Sequence, residues 1–558
     1  MRFKKRQNKI GVTAITGSNV VLLSLDMKKE DTEGLLGFAI ERIDPKEDER
    51  YFLKGFKRFA YADNETGVDM LFTTFEHPVQ SFLWEDFSAK ENRKYTYNII
   101  PVSGKPKKLE YGKPCSIEVE TEKEHEDEHS VFFNRGVAGS IAYANRFKNK
   151  KPSQLSGDEL KESLAWLSRG LKEALMHFIE RAADPTFSLK IAFYEFTNDE
   201  VMEALKDRIG KNVSVEIIYD HRKEAVENDE KIVEHEFPTD ALIKREAGPS
   251  SALSHNKFMI LFKDGEPIAV WTGSTNITAK AIYGHCNTGH VINNSTVAAK
   301  YFEYWTELAK DPGKEFKDIN LTITPELTAA NIAAGTSLIF SPRQSLNTLE
   351  TYAALIAGAK QLVCGMFPFS FYDAMKTAIT TQTTALELIL TDRRDKELIL
   401  EQRADNIQVV QGTYFKDPLF NWVKEINSGV LFNENGNPNI GTNYVHNKVI
   451  LIDPLTEDPI VIGGSANFSY NSIRVNDENS LIIRGNKRVA DIYFTEFFRI
   501  FNHYYVRAKT QNINPATRSN IRFNPLLLNE NSSWVNGFFR AGSFKTIRKE
   551  MFNSVQVL

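Results

Sequence analysis

Two short segments of this chain carry a His and a Lys two residues apart in almost the same setting: "LSHNKFMILF" at 253–262 and "YVHNKVILID" at 444–453. Each leads into a Gly-Ser-x-Asn turn, "TGSTNIT" at 272–278 and "GGSANFS" at 463–469. Nineteen residues separate His255 from Ser274 and His446 from Ser465, and nineteen again separate Lys257 from Asn276 and Lys448 from Asn467. On an extended chain residues i and i+2 share a face, so each imidazole projects beside its ammonium group. The glycines would let backbone N–H groups approach an anion, and the Ser and Asn side chains add donors. Two such corners brought together offer two imidazoles, two ammonium groups and two amides around one point. That inventory suits a tetrahedral oxyanion, above all a phosphodiester. One His can attack phosphorus while the other protonates the leaving oxygen, and the Lys and Asn pairs hold the non-bridging oxygens. The two imidazoles can then exchange acid and base roles when water releases the phospho-enzyme, since a His does either job near neutral pH.

One His-x-Lys on a strand is more often an ordinary core pair; the shared register of two copies is what carries weight. The pattern H-x-K followed by G-S-x-N resembles the phospholipase D superfamily, in two copies over roughly residues 188–510. The resemblance implies metal-independent phosphodiester transfer through a phosphohistidine, with no cofactor. It implies a catalytic set of His255, Lys257, Asn276, His446, Lys448 and Asn467, supported by Ser274, Ser465, Asp453 and Glu478. Family habit makes His255 the nucleophile and His446 the proton donor. The copies differ in fidelity. Asp453 fits H-x-K-x-x-x-x-D where the first copy has Phe262, and Glu478 is expected to orient His446 within its own copy, with Gly289 at the matching place. Asn287 or His290 is then the candidate to orient His255, and Cys286 reads as structural.

The elements that must position these residues follow an order that repeats. A helix capped by Ser156 and Glu159 steps through Leu160, Leu164, Leu167, Leu171, Leu175 and Phe178 before Asp184-Pro185 stops it. Then come a strand, "LKIAFYEF", a helix, "NDEVMEALKDRI", and a strand, "VSVEIIYD". The second half runs through "SLNTLETYAALIAGA", "KQLVCGMFPF", "YDAMKTAIT" and "TALELILTD" into its own His-x-Lys segment. Alternating strands and helices imply an α/β sheet, and the duplicated order implies two lobes. Residues 10 to about 148 instead read as short strands between turn clusters, an antiparallel sandwich. Its segment "SFLWEDFSAKENRKYTYNIIPVSGKP" resembles the later strands of a fibronectin type III domain, with Trp84 as core aromatic and Tyr95 and Tyr97 on the following strand. The expected fold is therefore multidomain: an all-β sandwich at 1–148, a helical linker at 149–187, phospholipase D-like lobes at 188–345 and 346–510, and a basic extension at 511–558.

Among 558 residues there are three cysteines, without paired spacing, which argues against a disulfide framework or zinc site and for a reducing, cytoplasmic setting. The basic start "MRFKKRQNK" reads as strand rather than leader, and no apolar run would span a bilayer, so no integral membrane contact is expected. The net charge of −4 hides 12 Lys and Arg against 4 Asp and Glu at 484–550. With aromatics interleaved in "FYDAM", "FNHYYVRAK" and "WVNGFF", this could form a polyanion-binding face. As a helix, though, "FTEFFRIFNHYY" reads as core. A nuclease is the first reading. A phospholipase or phosphatidyl transferase and a catalytically silent binding protein are the alternatives. Nucleic acid is the expected partner, with a protein on the sandwich and homo-oligomerisation left open. The same module combination is similar to bacterial phospholipase D-like proteins, some of which occur in anti-phage defence loci.

Overall fold

The computed structural model describes residues 1–62, 71–125, 128–136, 152–222, 225–249, 251–392, 406–412, 445–510 and 524–557, with isolated positions at 143, 146–148, 150 and 398. Two seven-stranded sheets form the two lobes. The first runs His129–Phe133, Thr288–Ile292, Glu266–Gly273, Lys257–Lys263, Phe187–Phe193, Ser214–Asp220 and Leu242–Arg245. The second runs Gly335–Ser341, Glu478–Arg484, Ile460–Gly464, Val449–Ile452, Leu362–Phe367, Leu386–Thr391 and Ile407–Gln411. The order is the same, strand for strand. Central strands such as "KFMILFK" and "VILI" are apolar throughout because helices cover both faces of each sheet.

This topology gathers the motif residues at one sheet end. Lys257 opens a strand that runs antiparallel to its neighbours. Phe193, which closes one neighbour, therefore lies opposite Lys257, and Gly273, which closes the next hairpin strand, lies opposite Gly289. In the second lobe Gly464 likewise lies opposite Ser480. The lobes meet at these ends through reciprocal bridges, Ser254 with Asp477 and Cys286 with Val445. Each partner is the residue just before a motif position, so the interface is pseudo-two-fold.

The N-terminal strands form the expected sandwich. One sheet runs Arg2–Gln7, Ile10–Thr16, Val21–Asp26 and Leu83–Asp86. The other centres on Gly37–Asp44 and Lys94–Lys105, with Cys115–Glu120 along the first half of the latter. His129–Phe133, inside the stretch expected to be sandwich, instead pairs with Thr288–Ile292 and forms the edge of the first lobe. The expected single helix is two, Gly157–Ser168 and Leu171–Glu180, and Ser156 makes no side-chain cap. Arg169 (φ 45°) and Gly170 (φ 87°) break it, which lets the Arg169 guanidinium reach Glu496 at 2.7 Å in the second lobe's long helix. The second of these helices packs Leu171, Leu175, Phe178 and Ile179 into the first lobe's core rather than serving as a linker.

The C-terminal end is structural where it is described. Residues 524–557 return to the sandwich, and Trp534, Val535 and Phe538 enter its core beside Phe38, Phe82 and Tyr97. Trp84 lies at the edge of that cluster; the central indole is Trp534, whose N–H donates to Leu35 O at 2.9 Å. The aromatics of Lys487–Thr510 fill the second lobe, among them Phe494, Phe497, Phe498, Phe501 and Tyr504. Much of the basic excess is also paired internally: Arg484 with Asp458, Lys487 with Glu457, Arg488 with Glu122 and Arg548 with Glu85. Residues 511–523 of the basic extension lie outside the described residues. Trp534→Ala is expected to cost about 3–5 kcal/mol, the usual loss for an aromatic deleted from a packed core. Chemical denaturation followed by the sandwich's fluorescence measures it, and a loss under about 1 kcal/mol would mean the tail is merely draped on the surface.

Candidate active site

All six residues of the expected set lie where the two sheet ends meet. His255, Lys257, His446 and Lys448 are buried, both lysines at 1% exposure. Each Lys donates from Nζ to the carbonyl of the His two residues before it, Lys257 to His255 O at 2.6 Å and Lys448 to His446 O at 2.7 Å. The His-x-Lys spacing thus closes a small ring that aims ammonium and imidazole the same way.

The orienting groups are exchanged between lobes. His255 Nδ1 lies 2.8 Å from Glu478 Oε2, and His446 Nδ1 lies 2.8 Å from Asn287 Oδ1. Glu478 therefore backs the other copy's imidazole, not His446 as expected, and Asn287 does the same in return. Asn287 also corrects the alignment of the copies. It follows Ser274 by thirteen residues, as Glu478 follows Ser465, so Asn287 and not Gly289 is the counterpart of Glu478. Gly289 lies against the Trp271 ring, and His290 is buried between His129 and Tyr493, so neither orients His255. The serines support the orienters: Ser274 Oγ lies 2.8 Å from Asn287 Oδ1 and 3.0 Å from Asn447 Oδ1, which share its one proton, while Ser465 Oγ donates to Glu478 Oε2 at 2.7 Å.

Two expectations fail here for clear reasons. The Gly-Ser turns are not an anion nest, because Ser274 N and Ser465 N already donate to Thr288 O and Asn479 O across the sheet. Their glycines allow that approach: Gly273 and Gly464 both have φ 136°, and a Cβ there would meet those carbonyls at 2.2 and 2.4 Å. Asp453 stands at the far end of its strand, about 16 Å of extended chain from Lys448. Its carboxylate accepts from the backbone N–H groups of Lys360, Gln361 and Leu362 and pins that turn. Phe262 does equivalent anchoring by apolar packing against Phe302.

Three neighbours escaped the motifs. The Tyr194 ring lies 4.9 Å from the His255 ring, with Lys257 Nζ 5.0 Å from its centroid. Glu195 accepts from Asn276 Nδ2, and the His285 ring lies 5.7 Å from that of His446. The Tyr194 and Glu195 positions could have been found by noting that the strand ending at Phe193 must finish beside Lys257.

Burial dominates the electrostatics. It pushes His255 down to about 4, against the opposing pull of Glu478, and His446 well below the ordinary range, with Lys448 and His285 adding to the shift. Lys257 falls to about 8 and Lys448 further, again by burial first. Burial would raise the Glu478 carboxyl, but His255, Lys257 and Ser465 outweigh it and hold it low. An ionised carboxylate only accepts, so His255 keeps its proton on Nδ1 and carries its lone pair on Nε2. These histidines are neutral in the folded state and take protons on unfolding. The contribution of His255 is present above about pH 6.5 and lost as pH falls toward 4, and that of His446 is lost in the same direction. The urea midpoint is thus expected to drop between pH 7.5 and 5, and less so with inorganic phosphate bound, because an anion favours the protonated forms.

A family model described as "Cardiolipin synthase, PLD-like domain" matches residues 175–308 and 356–501. The chain belongs to the phospholipase D superfamily, and its coarse chemistry is that of phosphodiesters. No curated protein matches the sequence. Among solved structures it is similar to phosphatidylserine synthase from Haemophilus influenzae Rd KW20, at 12% identity and TM-score 0.41, covering 60% of this chain and 85% of that one. It is similar also to polyphosphate kinase from Porphyromonas gingivalis, at 10% identity and TM-score 0.37, covering 56% of this chain and 45% of that one, less than half its length. The phospholipase D family member Nuc from Salmonella typhimurium matches at 24% identity and TM-score 0.21, over 25% of this chain and 87% of its own.

Proposed function

We propose that the chain is a metal-independent phosphodiesterase that works through a phosphohistidine on His255, and that nucleic acid is its substrate. The observation that carries the reaction is the unequal backing of the two imidazoles. Glu478 can stabilise the positive charge that His255 acquires when its Nε2 bonds to phosphorus, whereas the neutral Asn287 amide leaves His446 free to pass a proton. In the first step His446, which the bound phosphodiester anion keeps protonated on Nε2 as well as Nδ1, gives that proton to the leaving oxygen as the phosphorus–oxygen bond breaks and the bond from His255 Nε2 to phosphorus forms. In the second, His446 takes a proton from water, the water oxygen bonds to phosphorus and His255 departs neutral. Lys257 and Lys448 and the side-chain N–H groups of Asn276 and Asn467 donate to the non-bridging oxygens. The lysines supply charge that a metal would otherwise bring.

The rim of the first half-site supports nucleic acid over lipid. Tyr194, Glu195 and the Asp220–Arg222 ion pair border it, a polar and aromatic edge. The sandwich is, on this reading, a fibronectin type III-like docking module for a protein partner. One observation favours phosphatidyl transfer instead: the matching family model carries a cardiolipin synthase description. Among the described residues no helix is long and apolar enough to cross a membrane. Incubating the pure protein with labelled DNA, RNA and phosphatidylcholine, with and without EDTA, separates these readings. Cleavage of DNA or RNA that survives chelation is expected. Turnover of phosphatidylcholine alone would transfer the reading to lipid, and loss with EDTA restored by Mg²⁺ would remove the phosphohistidine. Among the described residues one metal-ligand cluster exists, exposed Asp199 and Glu234 with half-buried His235, and the Lys231 ammonium already lies within 2.9 Å of both carboxylates.

A further inference from the structure

Glu195 belongs to no motif, yet its carboxylate sits on the amide of Asn276, one of the groups that face the reacting phosphate if the reading above holds. Its position is fixed by backbone. Glu195 O accepts from Ile277 N at 3.0 Å, which binds the end of one strand to the residue after Asn276. The Tyr194 ring, packed on His255 and Lys257, holds the same strand end from the other side. The carboxylate also acts on both buried ammonium groups, drawing Lys257 and Lys448 upward against the effect of burial. The equivalent position in the second lobe carries no acid. Phe193 lies opposite Lys257 and Phe367 falls at the place opposite Lys448, so Phe369 is the counterpart of Glu195. The twin amide of Asn467 thus receives no carboxylate from that position.

A carboxylate and a phosphodiester present the same thing to Asn276 and the two lysines: paired anionic oxygens that accept hydrogen bonds. They cannot both occupy that amide, and two anions in contact inside a buried site repel strongly. We propose that Glu195 is an anion place-holder, occupying on Asn276 the position of a non-bridging phosphate oxygen in the free protein and yielding it when substrate enters. It keeps two buried ammonium groups compensated in the free protein. It also sets a threshold that only a ligand able to engage both half-sites overcomes.

The test is tungstate, a tetrahedral oxyanion, titrated calorimetrically into the full chain. Glu195→Gln retains an acceptor for Asn276 and removes only the charge, so tungstate is expected to bind about tenfold tighter, or about 1.4 kcal/mol. Glu203→Gln, which removes the same charge from the surface of helix Asp199–Gly210, is expected to bind as the wild type does. Glu195→Asp, whose shorter arm withdraws from the amide, is expected to fall between and serves if the Gln variant does not fold. Lys448→Met is expected to lose binding. If Lys448→Met loses tungstate but Glu195→Gln binds it no tighter than wild type, the place-holder is refuted while the phosphate site stands. If Lys448→Met binds tungstate like wild type, the anion is elsewhere and the phosphodiester reading itself falls.

Discussion

Glu478→Gln is expected to lower kcat/KM by about 10³- to 10⁴-fold, although Glu478 and the imidazole it serves belong to different lobes. The amide keeps a hydrogen bond to His255 Nδ1 but not the charge that stabilises an imidazolium, and comparable losses attend the same change in other carboxylate-backed histidines. A second cost adds to this. Glu478 is the foremost of the carboxylates that offset burial at Lys257 and Lys448, ahead of Glu195, so its loss pushes both ammonium groups toward neutrality and weakens their hold on the non-bridging oxygens. Asn287→Ala should be milder, on the order of 10- to 100-fold, because it removes a neutral orienting bond from His446. Steady-state kinetics on a nitrophenyl phosphodiester compare the two. A larger loss for Asn287→Ala than for Glu478→Gln would reverse the roles of the imidazoles.

The two histidines should fail differently when each is removed. His255→Ala and His446→Ala are both expected to cut steady turnover of ordinary substrates by at least about 10⁴-fold, since each half-site supplies an essential nucleophile or proton. A good leaving group separates them, because nitrophenolate departs without a proton. With that substrate His446→Ala should still release one equivalent of nitrophenol in a burst and then stall, for want of a base to activate water. His255→Ala should show no burst. Equal bursts, or a burst confined to His255→Ala, would overturn the assignment.

How much of this was readable in the sequence divides along a physical line. The two-lobed α/β body and the six His, Lys and Asn residues were legible because a repeated spacing on apolar strands leaves few ways to place them. The partners of the imidazoles were not, since sequence register shows equivalence and not contact. Glu478 and Asn287 hold equivalent places, but a pseudo-two-fold axis carries each to the other copy's His. Counting thirteen residues from each Ser would have matched Asn287 to Glu478 and exposed the pairing of an acid with an amide. Asp453 misled because a carboxylate near a motif in sequence can lie a full strand length away in space. The basic, aromatic C-terminal end read as a surface, whereas Trp534 and Phe538 complete a sandwich whose strands lie more than 400 residues earlier in the chain. Composition cannot distinguish a core contributed at long range from an exposed patch.

The central claim is tested most directly by locating the covalent phosphate. The wild-type protein and His446→Ala are mixed with the nitrophenyl phosphodiester and quenched in alkali, which spares the acid-labile phosphorus–nitrogen bond, and the phosphorylated peptide is then mapped by mass spectrometry. The phosphate is expected on His255 in both proteins, transient in the wild type and accumulating in the variant. Phosphate on His446 in the wild type, or turnover with no covalent phosphate on either His, would contradict it.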